Sequence, residues 1–318
     1  MTDPAAPFVR DDVRGFLAYL AEASGGRTSA DGTPEEARAM MAAMRHLAEA
    51  EPVELARKVD LSCPGPAGAI PLRLYDRRET REAGPLVLFL HGGGFVIGTL
   101  DSHDSFAALL AHRLDLPVLS VDYRLAPEHP FPAAPDDCEA AARWAADSPA
   151  ELGFAVTGLV PCGDSAGGNL AIVTTHALLD RPAAAPVVAM APIYPVVDTS
   201  RRWPSMEMFG DGYLLTAATM AWFEGHYAAP DGDPRKNVLD RVTGDLPPTA
   251  LMTASLDPLR DQGRAYRDAL ETAGVPVRFH EAEGQIHGFI TIRKAMPSGQ
   301  ADCETFIEML RELLETAR

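Results

Sequence analysis

The chain has 318 residues, 47% of them hydrophobic and 23% charged, which is ordinary for a soluble globular protein. Its 45 Asp and Glu residues outnumber 28 Lys and Arg, giving a formal net charge of −17. This acidity disfavours nucleic acid and anionic membranes as partners, because binding to phosphates requires a basic face.

Two further features of the sequence bear on metal binding and location. The four cysteines lie far apart and have no metal-ligand spacing, so we predict neither a metal site nor a disulfide framework: Cys63, Cys138, Cys162 and Cys303. The N-terminus shows no basic stretch followed by an apolar run, and no apolar segment is long enough to span a bilayer. We therefore expect a cytoplasmic protein.

Residues 1–50 are predicted to be helical and to form a cap segment. Apolar residues at helical spacing predict one helix over residues 9–23. Thr33 and Pro34 begin a second helix, as N-cap and first helical residue. The methionines of this helix either pack in the core or line a substrate entrance, where flexible thioethers suit varied ligands: Met40, Met41 and Met44.

From residue 51 onward, the pattern predicts strands that alternate with helices. Predicted strands cover residues 53–61, 69–75, 85–90, 117–121, 158–162, 186–190, 250–255 and 277–281. Predicted helices cover residues 136–147, 168–179, 263–273 and 301–316. Residues 197–247 interrupt the alternation with an aromatic-rich segment containing one helix at 217–227, which we interpret as a cap insertion. The order indicates a mostly parallel sheet covered by helices, built from residues 51–196 and 248–318.

A glycine-flanked serine lies between a predicted strand and a predicted helix. The sequence from Gly163 to Gly168 reads Gly-Asp-Ser-Ala-Gly-Gly, with Ser165 at the position of a nucleophile on a sharp turn. Upstream, residues 91–95 read His-Gly-Gly-Gly-Phe directly after a buried strand. Backbone N–H groups in such a glycine run can hydrogen-bond a developing oxyanion, and the N–H group of Ala166 is a second source of donors.

A serine nucleophile needs a base and a carboxylate that orients the base. His287 lies in a glycine-flanked loop after the last predicted strand, where parallel sheets place their chemistry. The other histidines after Ser165 fall in a helix, in the cap insertion and in a strand: His176, His226 and His280. Asp257 and Asp261 are the carboxylate candidates, and Asp257 is favoured because Asp261 suits the first turn of the next helix.

Together these motifs resemble the hormone-sensitive-lipase family of serine esterases, over about residues 50–318. The resemblance implies an α/β-hydrolase fold, with a mostly parallel eight-stranded sheet flanked by helices and a helical cap. It also assigns the site residues: Ser165, Asp257 and His287 as catalytic triad; Gly93, Gly94 and Ala166 as oxyanion hole; His91 and Gly92 as support for the oxyanion loop. A homodimer is a further expectation from the family.

The function implied is hydrolysis of short-to-medium-chain carboxylic esters through an acyl-enzyme, on a small-molecule substrate and without a cofactor or metal. Five aromatic residues are candidates for the pocket wall, with core packing as the alternative for each: Phe95, Phe209, Tyr213, Trp222 and Phe289. An amidase, lactonase or carbamate hydrolase would use the same triad. A non-catalytic small-molecule receptor on this fold is disfavoured, because such receptors lack the catalytic histidine and His287 is present.

Overall fold

A computed structural model of the protein describes residues 6–316. Eight strands form one sheet: β1 (Arg57–Gly65), β2 (Gly68–Asp76), β3 (Gly84–Leu90), β4 (Val118–Val121), β5 (Val156–Asp164), β6 (Ala191–Ile193), β7 (Thr249–Leu256) and β8 (Val277–Ile286). Along the sheet the strands run in the order β1-β2-β4-β3-β5-β6-β7-β8. Strand β2 pairs antiparallel with both of its neighbours, and every other pairing is parallel. The predicted eight-stranded, mostly parallel sheet is confirmed.

Helices precede the sheet, connect its strands and follow it. They are α1 (Asp11–Ser24), α2 (Pro34–Ala48), α3 (Asp104–Leu114), α4 (Ala133–Ala146), α5 (Ala166–Asp180), α6 (Pro204–Phe209), α7 (Ala217–Tyr227), α8 (Arg260–Thr272) and α9 (Gly299–Thr316). Short 3₁₀ turns lie at Ser29–Asp31, Asp101–His103, Ala150–Leu152, Leu239–Arg241 and Phe289–Thr291. The predicted N-cap of helix α2 is present, since Thr33 Oγ1 accepts a hydrogen bond from the Glu36 N–H group (3.2 Å).

The sheet is covered by apolar packing on both faces, which explains the continuous apolar run of β3. Val87 and Phe89 belong to one core cluster, together with Phe106 of α3 and Phe306 of α9. The alternate β3 residues belong to the opposite cluster, which α4 and α5 complete: Leu86, Leu88 and Leu90. A central strand covered on both sides holds its carboxyl end in a fixed position, which is where the site is built.

The strand predicted at residues 186–190 is wrong in its position. Val187 and Met190 make isolated bridges only, and the regular strand β6 begins at Ala191. The first predicted strand also lies too early, because β1 pairs with β2 from Arg57 onward. The apolar residues before it, Val53 and Leu55, instead pack against the core cluster that includes α3 and α9. Apolar character located these segments, whereas backbone pairing with a neighbouring strand set their limits.

Both predicted cap segments lie over the same end of the sheet. The 3₁₀ turn Ser29–Asp31, between α1 and α2, contacts α7 of the insertion. Residues from both segments line one cavity with the strand-end loops. The division into cap and catalytic parts stays a prediction. Among residues 6–316, no helix has the length and apolar character needed to cross a membrane.

Candidate active site

Ser165 lies at the turn between β5 and α5, where the chain reverses direction sharply. Its backbone has φ +56° and ψ −117°, a conformation that non-glycine residues rarely adopt. The turn is anchored by its own N–H group, which donates to the Ile193 carbonyl at the end of β6 (2.9 Å). A Cβ atom at Gly167 would overlap the Leu90 carbonyl, so the turn packs directly on the end of β3. These contacts hold the serine hydroxyl above the sheet.

His287 and Asp257 lie beside this hydroxyl, each just past a strand. His287 Nε2 is 2.8 Å from Ser165 Oγ, and His287 Nδ1 is 2.6 Å from Asp257 Oδ2. The other oxygen of Asp257 accepts the Leu259 N–H group (2.7 Å), which fixes the carboxylate. All three side chains are buried, Asp257 completely. The arrangement can move a proton from the serine hydroxyl to an imidazole that a buried carboxylate orients.

The alternative acid and bases lie elsewhere. Asp261 is in the first turn of α8, where it accepts the Ser205 N–H group (2.9 Å) and pairs with Arg260. His176 is buried within α5, and burial lowers its pKa to about 4. His226 packs its ring against Trp222 on α7. The remaining histidine of this group, His280, pairs with Asp302 (2.8 Å).

The glycine loop after β3 faces Ser165 across the cavity. Gly93 and Gly94 have φ angles of +116° and +60°, and both line the cavity beside the serine. Within residues 6–316, the N–H groups of Gly93, Gly94 and Ala166 donate no hydrogen bond. Free backbone donors beside a serine hydroxyl are suited to stabilise an oxyanion.

Side chains beneath the loop hold it in place. His91 is fully buried, and burial lowers its pKa to about 3, so its imidazole is neutral. Its ring stacks on Tyr123 (4.3 Å between centroids), and its Nδ1 is 2.8 Å from the Gly92 carbonyl oxygen. The Tyr123 hydroxyl donates to the His91 carbonyl (2.7 Å). The sequence did not indicate this contact of Tyr123.

A cavity of about 910 Å³ lies above the serine and extends between the two predicted cap segments. Its wall is mainly apolar and includes the three methionines of α2, with two more from the insertion: Met40, Met41, Met44, Met206 and Met220. Of the two roles open for the α2 methionines, Met40 and Met41 take the cavity-lining one, whereas Met44 lines the cavity and also packs against the core. Such a volume lies in the upper part of the usual range for small-molecule pockets, about 300–1,000 Å³.

Four of the five aromatic pocket candidates do not line the cavity. Phe95 does, stacked on Tyr227 (3.8 Å). Phe209 and Phe289 are buried in the core, where the apolar packing of the sheet holds them. Tyr213 packs edge-on against Phe209 and away from the cavity (5.2 Å). Phe209, Phe289 and Tyr213 are therefore packing residues, and their prediction as pocket residues is wrong.

The prediction that Trp222 lines the cavity is also wrong, and the neighbouring Phe223 lines it instead. The α7 residues in the cavity wall cover one broad side of the helix: Ala217, Thr219, Met220, Ala221, Phe223, Glu224 and Tyr227. Trp222 lies about 100° around the helix from Phe223 and packs against it from the side (5.3 Å). Residues 217–227 have no amphipathic pattern, so the sequence did not indicate which side of this helix faces the cavity.

Two polar residues of the cavity, His103 and Asp164, are not among the predicted site residues. His103 Nε2 is 3.1 Å from Asp164 Oδ1, and both side chains are buried. In the part of the chain described by the structure, no group of three or more His, Cys, Asp or Glu side chains is arranged to hold a metal ion.

Comparison with known proteins identifies relatives along most of the chain. A family described as having the alpha/beta hydrolase fold matches residues 87–291. The chain is 37% identical to an ethyl acetate hydrolase of Pseudomonas putida, over 94% of this chain and 98% of that protein. It is 39% identical to the carboxylic ester hydrolase LipN of Mycobacterium tuberculosis, over 79% of this chain and 69% of that protein.

A solved structure is similar to this chain over nearly its whole length. The ester hydrolase EH1AB1, from the metagenome of Lake Arreo, was solved with a bipyridine phosphonate derivative. It superposes with a TM-score of 0.87 at 35% identity, covering 96% of this chain and 98% of the other. The resemblance drawn from the sequence motifs is confirmed at the level of the family.

Proposed function

Because this chain belongs to the α/β-hydrolase family, we propose that it is a carboxylic ester hydrolase that works through an acyl-enzyme on Ser165. One observation carries the proposal: the unbroken hydrogen-bonded series from Asp257 through His287 to Ser165, at 2.6 and 2.8 Å. A buried, oriented imidazole beside a serine hydroxyl is the arrangement that activates a weak nucleophile. The names of the relatives support an ester as the bond that is cleaved.

In the proposed reaction, Ser165 Oγ attacks the ester carbonyl carbon while His287 Nε2 takes the hydroxyl proton. The carbonyl oxygen becomes an oxyanion and accepts hydrogen bonds from the backbone N–H groups of Gly93, Gly94 and Ala166. Asp257 stabilises the imidazolium and keeps Nδ1 protonated. Collapse of the intermediate breaks the ester C–O bond, and the alcohol leaves with the proton from His287. Water, deprotonated by the same imidazole, then releases the acid.

We propose a small, uncharged ester with a short-to-medium acyl chain as the substrate class. The mainly apolar wall of the 910 Å³ cavity supports an uncharged substrate, and the name of the Pseudomonas putida relative supports a short acyl group. An amide, lactone or carbamate would meet the same triad, and the relatives' names favour the ester over each. Four buried, unpaired cysteines in residues 6–316 are compatible with a cytoplasmic enzyme.

The experiment compares Ser165→Ala with Ser120→Ala on a series of p-nitrophenyl esters from acetate upward. Ser165→Ala removes the nucleophile, so kcat should fall by about 10⁴–10⁶ while the far-ultraviolet circular dichroism stays unchanged. Ser120 is a fully buried serine of β4 outside the cavity, so its alanine variant is the matched control and should keep wild-type kcat. Near-wild-type turnover by Ser165→Ala contradicts the proposal.

A further inference from the structure

Asp164 directly precedes the proposed nucleophile, yet the reaction assigns it no part. The residue is 3% exposed. Its Oδ1 atom accepts the Gly92 N–H group (2.8 Å) and lies 3.1 Å from His103 Nε2. The hydroxyl of Tyr194 lies 3.4 Å from Oδ2. A buried carboxylate with these partners is a built feature of the site and needs an explanation.

The bond from Gly92 to Asp164 joins two parts of the proposed oxyanion hole. Gly92 begins the loop that carries Gly93 and Gly94, after β3. Asp164 is the last residue of β5, next to the turn that carries Ser165. A Cβ atom at Gly92 would overlap the Asp164 carboxylate, so only glycine permits this approach of the loop to the turn.

The surroundings keep this carboxylate ionised. Burial alone would raise the pKa of Asp164, but the neighbouring imidazoles of His103 and His287 and the hydrogen bonds from His103 and Gly92 hold its pKa below the ordinary value. His103 is itself fixed, since its Nδ1 is 2.9 Å from Ser102 Oγ. The bond to Gly92 is therefore charge-assisted, a class about twice as strong as neutral hydrogen bonds.

We propose that Asp164 is the positioning residue of the oxyanion hole, its carboxylate holding Gly92 so that the loop donors stay in register with Ser165 and Ala166. The inference rests on the proposed acyl-transfer function, in which the hole is assembled from these two segments. Donors stabilise a transition state only when they are aimed at the developing charge before the reaction begins. Loss of the carboxylate frees the loop relative to the turn and lowers the chemical rate without changing substrate binding.

The test compares Asp164→Ala and Asp164→Asn with Asp137→Ala. Misplacement of catalytic groups by about 1 Å costs about 100-fold in rate, so Asp164→Ala should lose about that factor in kcat with KM within about two-fold. Inactivation by a p-nitrophenyl phosphonate should slow by the same factor, because its phosphoryl oxygen occupies the hole. Asp164→Asn keeps an oxygen acceptor for Gly92 and should recover at least about one tenth of wild-type kcat.

Asp137 is the matched control for a purely structural role. Asp137 lies on α4, outside the cavity, and is also a buried carboxylate, 1% exposed. It pairs with Arg124 (2.8 Å). Asp137→Ala should lower the Tm and leave kcat and phosphonate inactivation unchanged. If Asp164→Ala does not fold, Asp164→Asn still tests the contact: the Gly92 amide proton resonance should shift upfield and kcat should fall about three- to ten-fold.

Each outcome decides one question. An Asp164→Ala enzyme with wild-type kcat and inactivation rate overturns the inference, as does an Asp164→Asn enzyme with an unmoved Gly92 resonance and an unchanged kcat. Those results leave the proposed function intact if Ser165→Ala is inactive. An active Ser165→Ala enzyme contradicts the proposed function itself.

Discussion

The floor and the roof of the cavity are built from different chemistry. The floor consists of strand-end and loop residues in directional hydrogen bonds, such as His287 to Asp257 at 2.6 Å. The roof consists of the two predicted cap segments, whose inward face is rich in methionine and leucine. Hydrogen bonds fix atoms to within tenths of an ångström, whereas apolar contacts tolerate changes in shape. The comparison implies that floor substitutions change the chemical rate and roof substitutions change which substrate fits.

A few polar contacts attach the roof to the floor. Arg38 of α2 donates to the carbonyls of Val96 and Ala126 (2.9 Å each) and makes a bidentate pair with Glu128 (2.7 Å). Val96 follows the glycine loop directly. The roof is thus attached to the floor beside the proposed oxyanion hole, through Arg38 and not through any residue of the proposed triad.

The largest expected effect is on the floor. Asp257→Asn should lower kcat by about 10⁴ with little change in KM, because the imidazole loses the partner that selects its tautomer. Asp261→Asn is the matched control, since Asp261 contacts Ser205 and Arg260 and not His287. Steady-state kinetics on p-nitrophenyl acetate measures both. Equal losses in the two variants would show that the acid has been misassigned.

The stability of the protein should respond to pH through Glu49, which follows α2 at the end of the first roof segment. It is 5% exposed, and its Oε1 has no hydrogen-bond partner among residues 6–316. Burial raises its pKa from 4.5 to about 7, against the opposing charges of His103, Arg293 and Arg45. The folded state therefore binds more protons than the unfolded state between these values, and stability falls as the pH rises from about 4.5 to about 7.

Glu49→Gln should remove this contribution. Urea unfolding is measured at pH 5, 6 and 7.5. Over this range the free energy of unfolding of wild type should fall by up to about 3 kcal/mol more than that of Glu49→Gln. Parallel pH dependence of the free energy of unfolding in the two proteins would mean that Glu49 is ionised in the folded state at pH 5.

The smallest effect belongs to the roof. Phe223 lines the cavity, and its ring packs on Gly94 so closely that a Cβ there would overlap it. Phe223→Ala opens space for several methylenes and should shift the kcat/KM ratio of octanoate to acetate esters about ten-fold towards octanoate. Trp222→Ala removes an adjacent aromatic residue that lies outside the cavity wall and should leave the ratio unchanged. A shift with Trp222→Ala alone would reverse this assignment.

The floor was predictable from the sequence because its geometry follows local rules. A glycine-flanked serine between a strand and a helix, and polar residues just past strands, meet at one edge of a parallel sheet. Ser165, Asp257 and His287 lie together on that basis. The bond from Gly92 to Asp164 was not predicted, since it depends on how closely two loops approach, and no sequence pattern encodes that distance.

The lining of the roof was harder to predict, because an aromatic residue type does not indicate whether the side chain faces the cavity or the core. Phe209 is as apolar as Phe223, yet it is buried in the core. Trp222 and Phe223 are adjacent on α7, which has no amphipathic pattern, so the sequence did not indicate which of the two faces the cavity. The strand at residues 186–190 was misplaced for a similar reason. Val187 is as apolar as Ile193, and only the pairing of residues 191–193 with β5 and β7 shows where the strand lies.

Covalent labelling tests the central claim most directly. Wild-type enzyme is incubated with a p-nitrophenyl phosphonate until esterase activity is lost, then digested and sequenced by mass spectrometry. Attack by the serine hydroxyl predicts one adduct per chain, on the peptide that contains Ser165. Complete inactivation with the adduct on another residue, or full labelling of Ser165 with undiminished ester turnover, would contradict the acyl-enzyme mechanism.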